Sequence, residues 1–265
     1  LCNLGMSGFM FCGADVGGFG ADCTPELLCR WVEAACFSPL FRNHSCKGSK
    51  RQEPWQFDEE VVNINRKYIE LRYRFLPYMF YQEQQTGLPV MRPLVLHYAD
   101  DPEVRNLNTE FLVGEQMLVA PVLEQGATKK MVYLPEGVWY DYWTGEMLQG
   151  KQYILRDAPI EVCPIYLKAG SIIPTYQVNQ YVGEKAYTDL HLLTTPGVAV
   201  YQHYQDNGTD YAYENGKYNL YQFAKDQAGN VTTAMLHENS QTYSYYYVDH
   251  YEHAKVGRQH IYPFM

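Results

Sequence analysis

Up to residue 86 the apolar positions recur with a helical period or form short runs that stop at glycine. Beyond Gly87 they alternate, or cluster in aromatic runs between turn residues. Phe9-Met10-Phe11-Cys12 is an apolar run ending at Gly13-Ala14-Asp15, the form of a buried parallel strand. Gly17, Gly18 and Gly20 then permit a tight turn. Thr24 predicts a helix cap, with Pro25 at the first helical position and Glu26 at the positive end. Leu27, Leu28, Trp31, Val32 and Ala35 give that helix one apolar face. Ser38 and Pro39 end it, Leu40 and Phe41 start a second strand, and Arg42, Asn43 and His44 lie just past that strand. Two strands joined by a helix form a parallel crossover unit.

A polar, basic loop over 46–53 leads to Pro54-Trp55-Gln56-Phe57, read as a short apolar lid beside a site. Asp58 caps a long helix whose inner face is expected to carry Val61, Tyr68, Ile69, Phe75, Leu76 and Phe80, with Pro77 as a kink or stop. Arg66, Lys67, Arg72 and Arg74 on it read as surface or ion-paired residues. From 87 onward the pattern predicts β-sandwiches, with strands at 90–98, 116–122, 130–134, 139–142 and 165–168. Pro174 marks a second boundary. The Tyr-rich block after it contains Asn207-Gly208 and Asn215-Gly216, both hairpin signals. The expected division is 1–86, 87–174 and 175–265.

Composition narrows the partners. A net charge of −9 argues against nucleic acid and against an anionic membrane surface, and suits a neutral ligand such as sugar. No apolar run is long enough to span a bilayer. Seven Cys, an odd number without a CxxC, signal neither a disulfide framework nor a zinc ribbon. Cys12, Cys29 and Cys36 fall on faces expected to be buried, so free thiols in a reducing, cytoplasmic setting are the reading. The 25 Tyr are read mainly as sheet surface, and Trp139 and Trp143 as packing residues. Asp206, Asp210 and Glu214 do not have the spacing of a calcium loop and read as turn residues. His250, His253 and His260 make no complete metal site.

In the crossover unit Asp15 and His44 both follow the C-terminal ends of their strands. In a (β/α)8 barrel that is the end where chemistry sits. A carboxylate, an imidazole and an aromatic ring, Phe19, at one mouth suit a sugar: the polar pair bonds hydroxyls and the ring covers an apolar face. Arg42 is read as a buried ion-pair partner in preference to a sugar ligand.

These residues lie in GADVGGFG…TPELLCRW…FSPLFRNHS, and LPVMRPLVL, FLVGEQMLVAPVL, YLPEGVWYDYWTGE and PIYLKAGSIIP follow in order. The ordered series resembles the α-glucosidases of glycoside hydrolase family 31. The resemblance implies α/β plus all-β architecture: the C-terminal portion of a (β/α)8 TIM barrel, 1–86, followed by two β-sandwich domains, 87–174 and 175–265. It implies retaining hydrolysis of a terminal non-reducing α-linked glucose from oligosaccharides, without a cofactor. It places Asp15, Phe19 and His44 in the subsite for that glucose. The family's nucleophile and acid/base are Asp residues on earlier barrel strands, so neither role carries over to Asp15. An N-terminal portion of the same enzyme is then an expected partner, and the chain by itself is expected to be inactive. An α-xylosidase or transglucosylase would share these motifs. A non-catalytic carbohydrate-binding sandwich is the rival of another class, and a ligand-free structural remnant a third.

Overall fold

The computed structural model describes residues 1–252 and 255–263, with side chains placed for 1–81 and 87–251. A short helix α1 (Cys2–Met6) precedes strand β1 (Asp15–Val16), helix α2 (Pro25–Ala35), strand β2 (Arg42–Asn43) and the long helix α3 (Glu59–Thr86). β1 and β2 pair in parallel, Asp15 opposite Arg42 and Val16 opposite Asn43. The strand expected at Phe9–Cys12 is displaced: pairing begins at Asp15, and Phe9 and Phe11 are about two-thirds exposed, at 68% and 66%. Leu40 and Phe41 likewise precede β2 instead of forming it. A buried parallel strand takes its cover from neighbours on both sides, and among the described residues β1 and β2 pair only with each other. Gly13 brings the two segments together, because a Cβ there would lie 1.9 Å from the Leu40 carbonyl oxygen.

Thr24 caps α2, its Oγ1 accepting the Leu27 N–H at 3.2 Å. The helix turns Leu28, Cys29, Val32 and Ala35 inward and leaves Leu27 outside. Asp58 caps α3 through the Val61 N–H at 3.0 Å. The buried series is Val61, Ile64, Tyr68, Leu71, Phe75 and Tyr78, a strict three–four spacing. Ile69 and Phe80 of the expected face are exposed, and Ile64, Leu71 and Tyr78 take the inner positions. The helix continues through Pro77 and ends at Gly87, where φ is 63°. Arg72 donates to the carbonyls of Cys36, Ser38 and Pro39 at 2.6 to 2.9 Å, fixing the exit of α2 to α3.

The next strands are β3 (Met91–Arg92), β4 (Phe111–Val113), β5 (Met117–Val119), β6 (Lys129–Leu134), β7 (Val138–Asp141), β8 (Met147–Gln149), β9 (Gln152–Asp157) and β10 (Ile165–Lys168). The strand expected over 90–98 is cut to two residues, since Pro93 opens a 3-10 turn at Leu94–Leu96. A six-stranded sheet, β3-β4-β5-β10-β7-β8, faces the pair β6-β9. Both faces of the large sheet are covered. Leu112, Leu118, Trp139 and Tyr166 pack with Val132 and Leu134 inside the sandwich. Phe111, Val113, Met117, Val119, Ile165 and Leu167 point the other way, into the core shared with α2 and α3. That two-sided burial is why FLV, MLV and IYL read as unbroken apolar runs.

Arg30 of α2 locks this sandwich to the helices. Its guanidinium donates to the carbonyls of Ala127, Ala158, Pro159 and Val162, and to Glu33 Oε2 at 3.1 Å. Glu33 is fully buried, and desolvation pushes its carboxyl up to about 7 although Arg30 pulls it down.

The last strands are β11 (Ile172–Thr175), β12 (Asp189–Thr194), β13 (Ala199–Gln205), β14 (Asn219–Lys225), β15 (Val231–Glu238), β16 (Tyr245–Glu252) and β17 (Lys255–Pro263). They form two sheets, β11-β12-β16-β17 and β13-β14-β15. β13 and β14 are antiparallel neighbours, so both Asn-Gly pairs lie in their one long connection and neither makes a two-residue hairpin. Asp206 accepts from the Tyr204 hydroxyl and the Gly208 N–H, and Asp210 from Asn207 and Ala212. Helix α3 reaches this unit too, with Tyr81 and Tyr201 rings 4.9 Å apart. Many tyrosines are core residues and not sheet surface: Tyr68, Tyr78, Tyr166, Tyr221 and Tyr243 are fully buried. Trp139 is buried, with its Nε1 donating to the Pro135 carbonyl, and Trp143 donates to Cys163 O. Cys29 and Cys36 are buried free thiols, whereas Cys12 is half-buried. His250 lies at 3.1 Å from Thr194 Oγ1; His253, and the side chain of His260, fall outside the described residues.

Candidate functional site

β1 and β2 run the same way, so the loops after them, 17–24 and 44–53, share one rim. They are tied together at three levels. The Cys46 N–H donates to the Phe19 carbonyl at 2.8 Å. Asp22 accepts from the Lys50 N–H at 2.9 Å and pairs with its ammonium at 3.5 Å, and the backbone bond holds this carboxyl below its ordinary value. Gln52, almost fully buried, shares its two Nε2 protons among Val16 O at 3.0 Å, Asn43 Oδ1 at 2.9 Å and His44 O at 3.2 Å. The Asn43 amide returns a bond to Gln52 O at 2.8 Å.

On this frame the four expected residues come together in two layers. Asp15 and Arg42, opposite each other in the strand pair, form an ion pair with Nε to Oδ1 at 2.7 Å. Just past the strands the Phe19 and His44 rings face each other, centroids 5.4 Å apart and tilted by 32°. Phe19 and His44 are both exposed. The expected ion pair is present, and among the described residues no neighbouring strand covers it, so the Arg42 side chain is 53% exposed. Pro54–Gln56 makes a single 3-10 turn with Trp55 largely exposed.

Gln52 and Asn43 are the residues the pattern did not single out. Gln52 sits in a stretch whose polar and basic neighbours, CKGSKRQE, are indistinguishable from a solvated loop. A glutamine that bonds three acceptors in a buried junction leaves no periodic trace. Gly17, with φ at 89°, hints at it, since a Cβ there would sit 2.9 Å from Gln52 Nε2.

The site presents a carboxylate, a guanidinium, an imidazole and a ring face: hydrogen-bonding groups beside an apolar wall. Among the described residues no three His, Cys, Asp or Glu side chains converge as a metal ion needs. No described helix is long and apolar enough to cross a membrane.

Matches to known families place the chain among the glycoside hydrolases. The profile described as "Glycosyl hydrolases family 31 TIM-barrel domain" matches residues 1–82, and "Glycosyl hydrolase family 31 C-terminal domain" matches 87–173. The chain belongs to glycosyl hydrolase family 31. It is 42% identical over 246 residues to Alpha-glucosidase 2 of Bacillus thermoamyloliquefaciens, covering 91% of this chain and 31% of that protein. It is 32% identical over 235 residues to an Alpha-xylosidase of Saccharolobus solfataricus, covering 85% and 32%. Among solved structures it superposes on a Flavobacterium johnsoniae GH31 dextranase, complexed with glucose, with a TM-score of 0.87 and 34% identity. That match covers 94% of this chain and 33% of the dextranase. The chain thus spans about a third of the length of these relatives.

Proposed function

We propose that this chain is the C-terminal portion of a retaining α-glucosidase that releases terminal non-reducing glucose from α-linked oligosaccharides. In this reading Asp15, Phe19 and His44 contact the glucose and Arg42 orients Asp15. The units are 1–86, 87–174 and 175–265. The observation that carries the reading is the Phe19–His44 ring pair standing above the Asp15–Arg42 ion pair at the ends of two parallel strands. The rim is favoured over the cleft of about 400 Å3 outside α2, which has no imidazole and whose Glu26 is engaged by the Gly126 N–H.

Retaining hydrolysis needs a nucleophile and an acid/base carboxylate about 5–5.5 Å apart. On this rim Asp15 pairs with Arg42 and Asp22 with Lys50. By the family resemblance the nucleophile and acid/base are Asp residues on earlier barrel strands, so both belong to a part of the enzyme attached to this chain or held tightly by it. The test is turnover of p-nitrophenyl α-glucoside. The 265-residue chain is expected to leave it intact; turnover near that of intact family enzymes overturns the proposal.

The Alpha-xylosidase among the relatives supports a second reading within the family, in which the bound sugar lacks the hydroxymethyl group. Relative rates on p-nitrophenyl α-xyloside and α-glucoside, measured on the enzyme containing this chain, discriminate the two. Glucose binding that His44→Ala leaves unchanged would favour a non-catalytic sandwich module.

A further inference from the structure

We infer that Gln52 is the positioning residue of the sugar rim, resting here on the reading of Phe19 and His44 as a sugar subsite. Its side chain is a keystone between the two loops, and its amide protons set where His44 stands relative to Phe19. Three facts converge on this role. Gln52 is almost fully buried, whereas Asn43, His44 and Phe19 are exposed. Its Nε2 reaches an acceptor from each of three places: the end of β1 at Val16, the side chain of Asn43 in β2, and the His44 carbonyl itself. The backbone of the glycine turn passes so close that Gly17 has no room for a Cβ.

The three acceptors are all oxygens, so they demand a donor at that point. The Gln52 Oε1 is buried and has no hydrogen-bond partner in the described structure. Bonding on the amide side is therefore what retains a glutamine here. A glutamate has the same shape, yet when ionised it offers acceptors only and would face three further oxygens. A purely space-filling role would accept that substitution. A donor role would not.

The test uses the enzyme that carries this chain, with 13C-labelled histidine, and reads the imidazole resonances of His44, assigned by their loss in His44→Ala. Phe19→Ala defines how far they move when the facing ring is gone. Gln52→Ala and Gln52→Glu at neutral pH are both expected to move His44 in the Phe19→Ala direction. The buried His203, in the last sheet unit, should keep its resonance and so report an intact fold. Asn43→Ala, at an exposed position, should give a smaller movement of the same sign. It serves where a Gln52 variant does not fold. His44 resonances unmoved in Gln52→Ala, or in Asn43→Ala where that variant stands in, overturn the inference. So does a Gln52→Glu protein indistinguishable from the unaltered one at a pH where the introduced carboxyl is ionised. Glucose titration then separates the two claims. A dissociation constant raised about tenfold or more in Gln52→Glu supports both. A displaced His44 with unchanged glucose affinity contradicts the sugar subsite while upholding Gln52.

Discussion

Replacing Arg30 with Met should be among the most damaging single changes in the chain. The substitution keeps the aliphatic stem and removes the guanidinium. Four carbonyls, from Ala127, Ala158, Pro159 and Val162, lose their donor, and Glu33 loses the cation 3.1 Å away. Breaking a buried pair from one side costs about 3–5 kcal/mol, because the partner stays behind unsatisfied. Glu33 limits the electrostatic share of that cost. Its carboxyl already sits near 7, so without Arg30 it takes up a proton and becomes neutral. Most of the loss then comes from the carbonyls, whose bonds to a charged donor are worth more than ordinary ones. The expected loss is about 3–4 kcal/mol, a large part of a typical domain's stability. Urea unfolding at pH 7, followed by tryptophan fluorescence and analysed by linear extrapolation, measures it. Arg30→Lys should recover part of the loss, since an ammonium reaches fewer of the carbonyls. A loss below about 1 kcal/mol would refute the idea that Arg30 clamps the sandwich to the helices.

Two buried groups give stability opposite pH dependences. The Glu33 carboxyl is raised in the fold from 4.5 to about 7, so its contribution is complete below 4.5 and lost as pH rises through 7, about 3 kcal/mol in all. Glu33→Gln should remove that decline in pH-dependent denaturation. His203 is depressed by burial to about 3, so its contribution holds above 6.5 and fades as pH falls toward 3; His203→Phe should blunt acid unfolding. Gly13→Ala would set a methyl 1.9 Å from the Leu40 carbonyl oxygen, forcing β1 and β2 apart. Circular dichroism melting should show a loss of about 1–3 kcal/mol, with the His44 resonances shifted as well. Asp15→Asn should change stability by less than about 1 kcal/mol, because its partner Arg42 is largely solvated; a larger drop in the same melt would mean that the pair is structural.

What could be read from the sequence was what periodicity and caps encode. Thr24 and Asp58 start their helices where expected, and KKMVYL and IYLK are strands within a residue of expectation. The parallel crossover put Asp15, Phe19, Arg42 and His44 on one rim. The failures share a cause: local pattern does not say which neighbours will cover a face. Phe9 and Phe11 look like a buried strand, but among the described residues no sheet surrounds them. Ile69 and Phe80 fit a helical period, yet the faces of α2 and of the large sheet select Ile64, Leu71 and Tyr78 instead. Arg30, Glu33 and Gln52 are polar residues buried by contacts made across long stretches of sequence, as in the Arg30–Ala158 bond. Their spacing resembles that of any solvated polar residue. Both Asn-Gly pairs carry the left-handed glycine they advertise, but they turn one long connection between β13 and β14.

The central claim is that Asp15, Phe19 and His44 contact one glucose unit, His44 bonding its hydroxyls and Phe19 walling the pocket. The most direct measurement is kcat/KM on p-nitrophenyl α-glucoside for the enzyme that carries this chain together with its catalytic carboxylates, with and without His44→Ala. Loss of hydroxyl contacts in the transition state predicts a fall of about a hundredfold or more, with the fold intact by circular dichroism. A folded His44→Ala enzyme within about twofold of the unaltered one would contradict it.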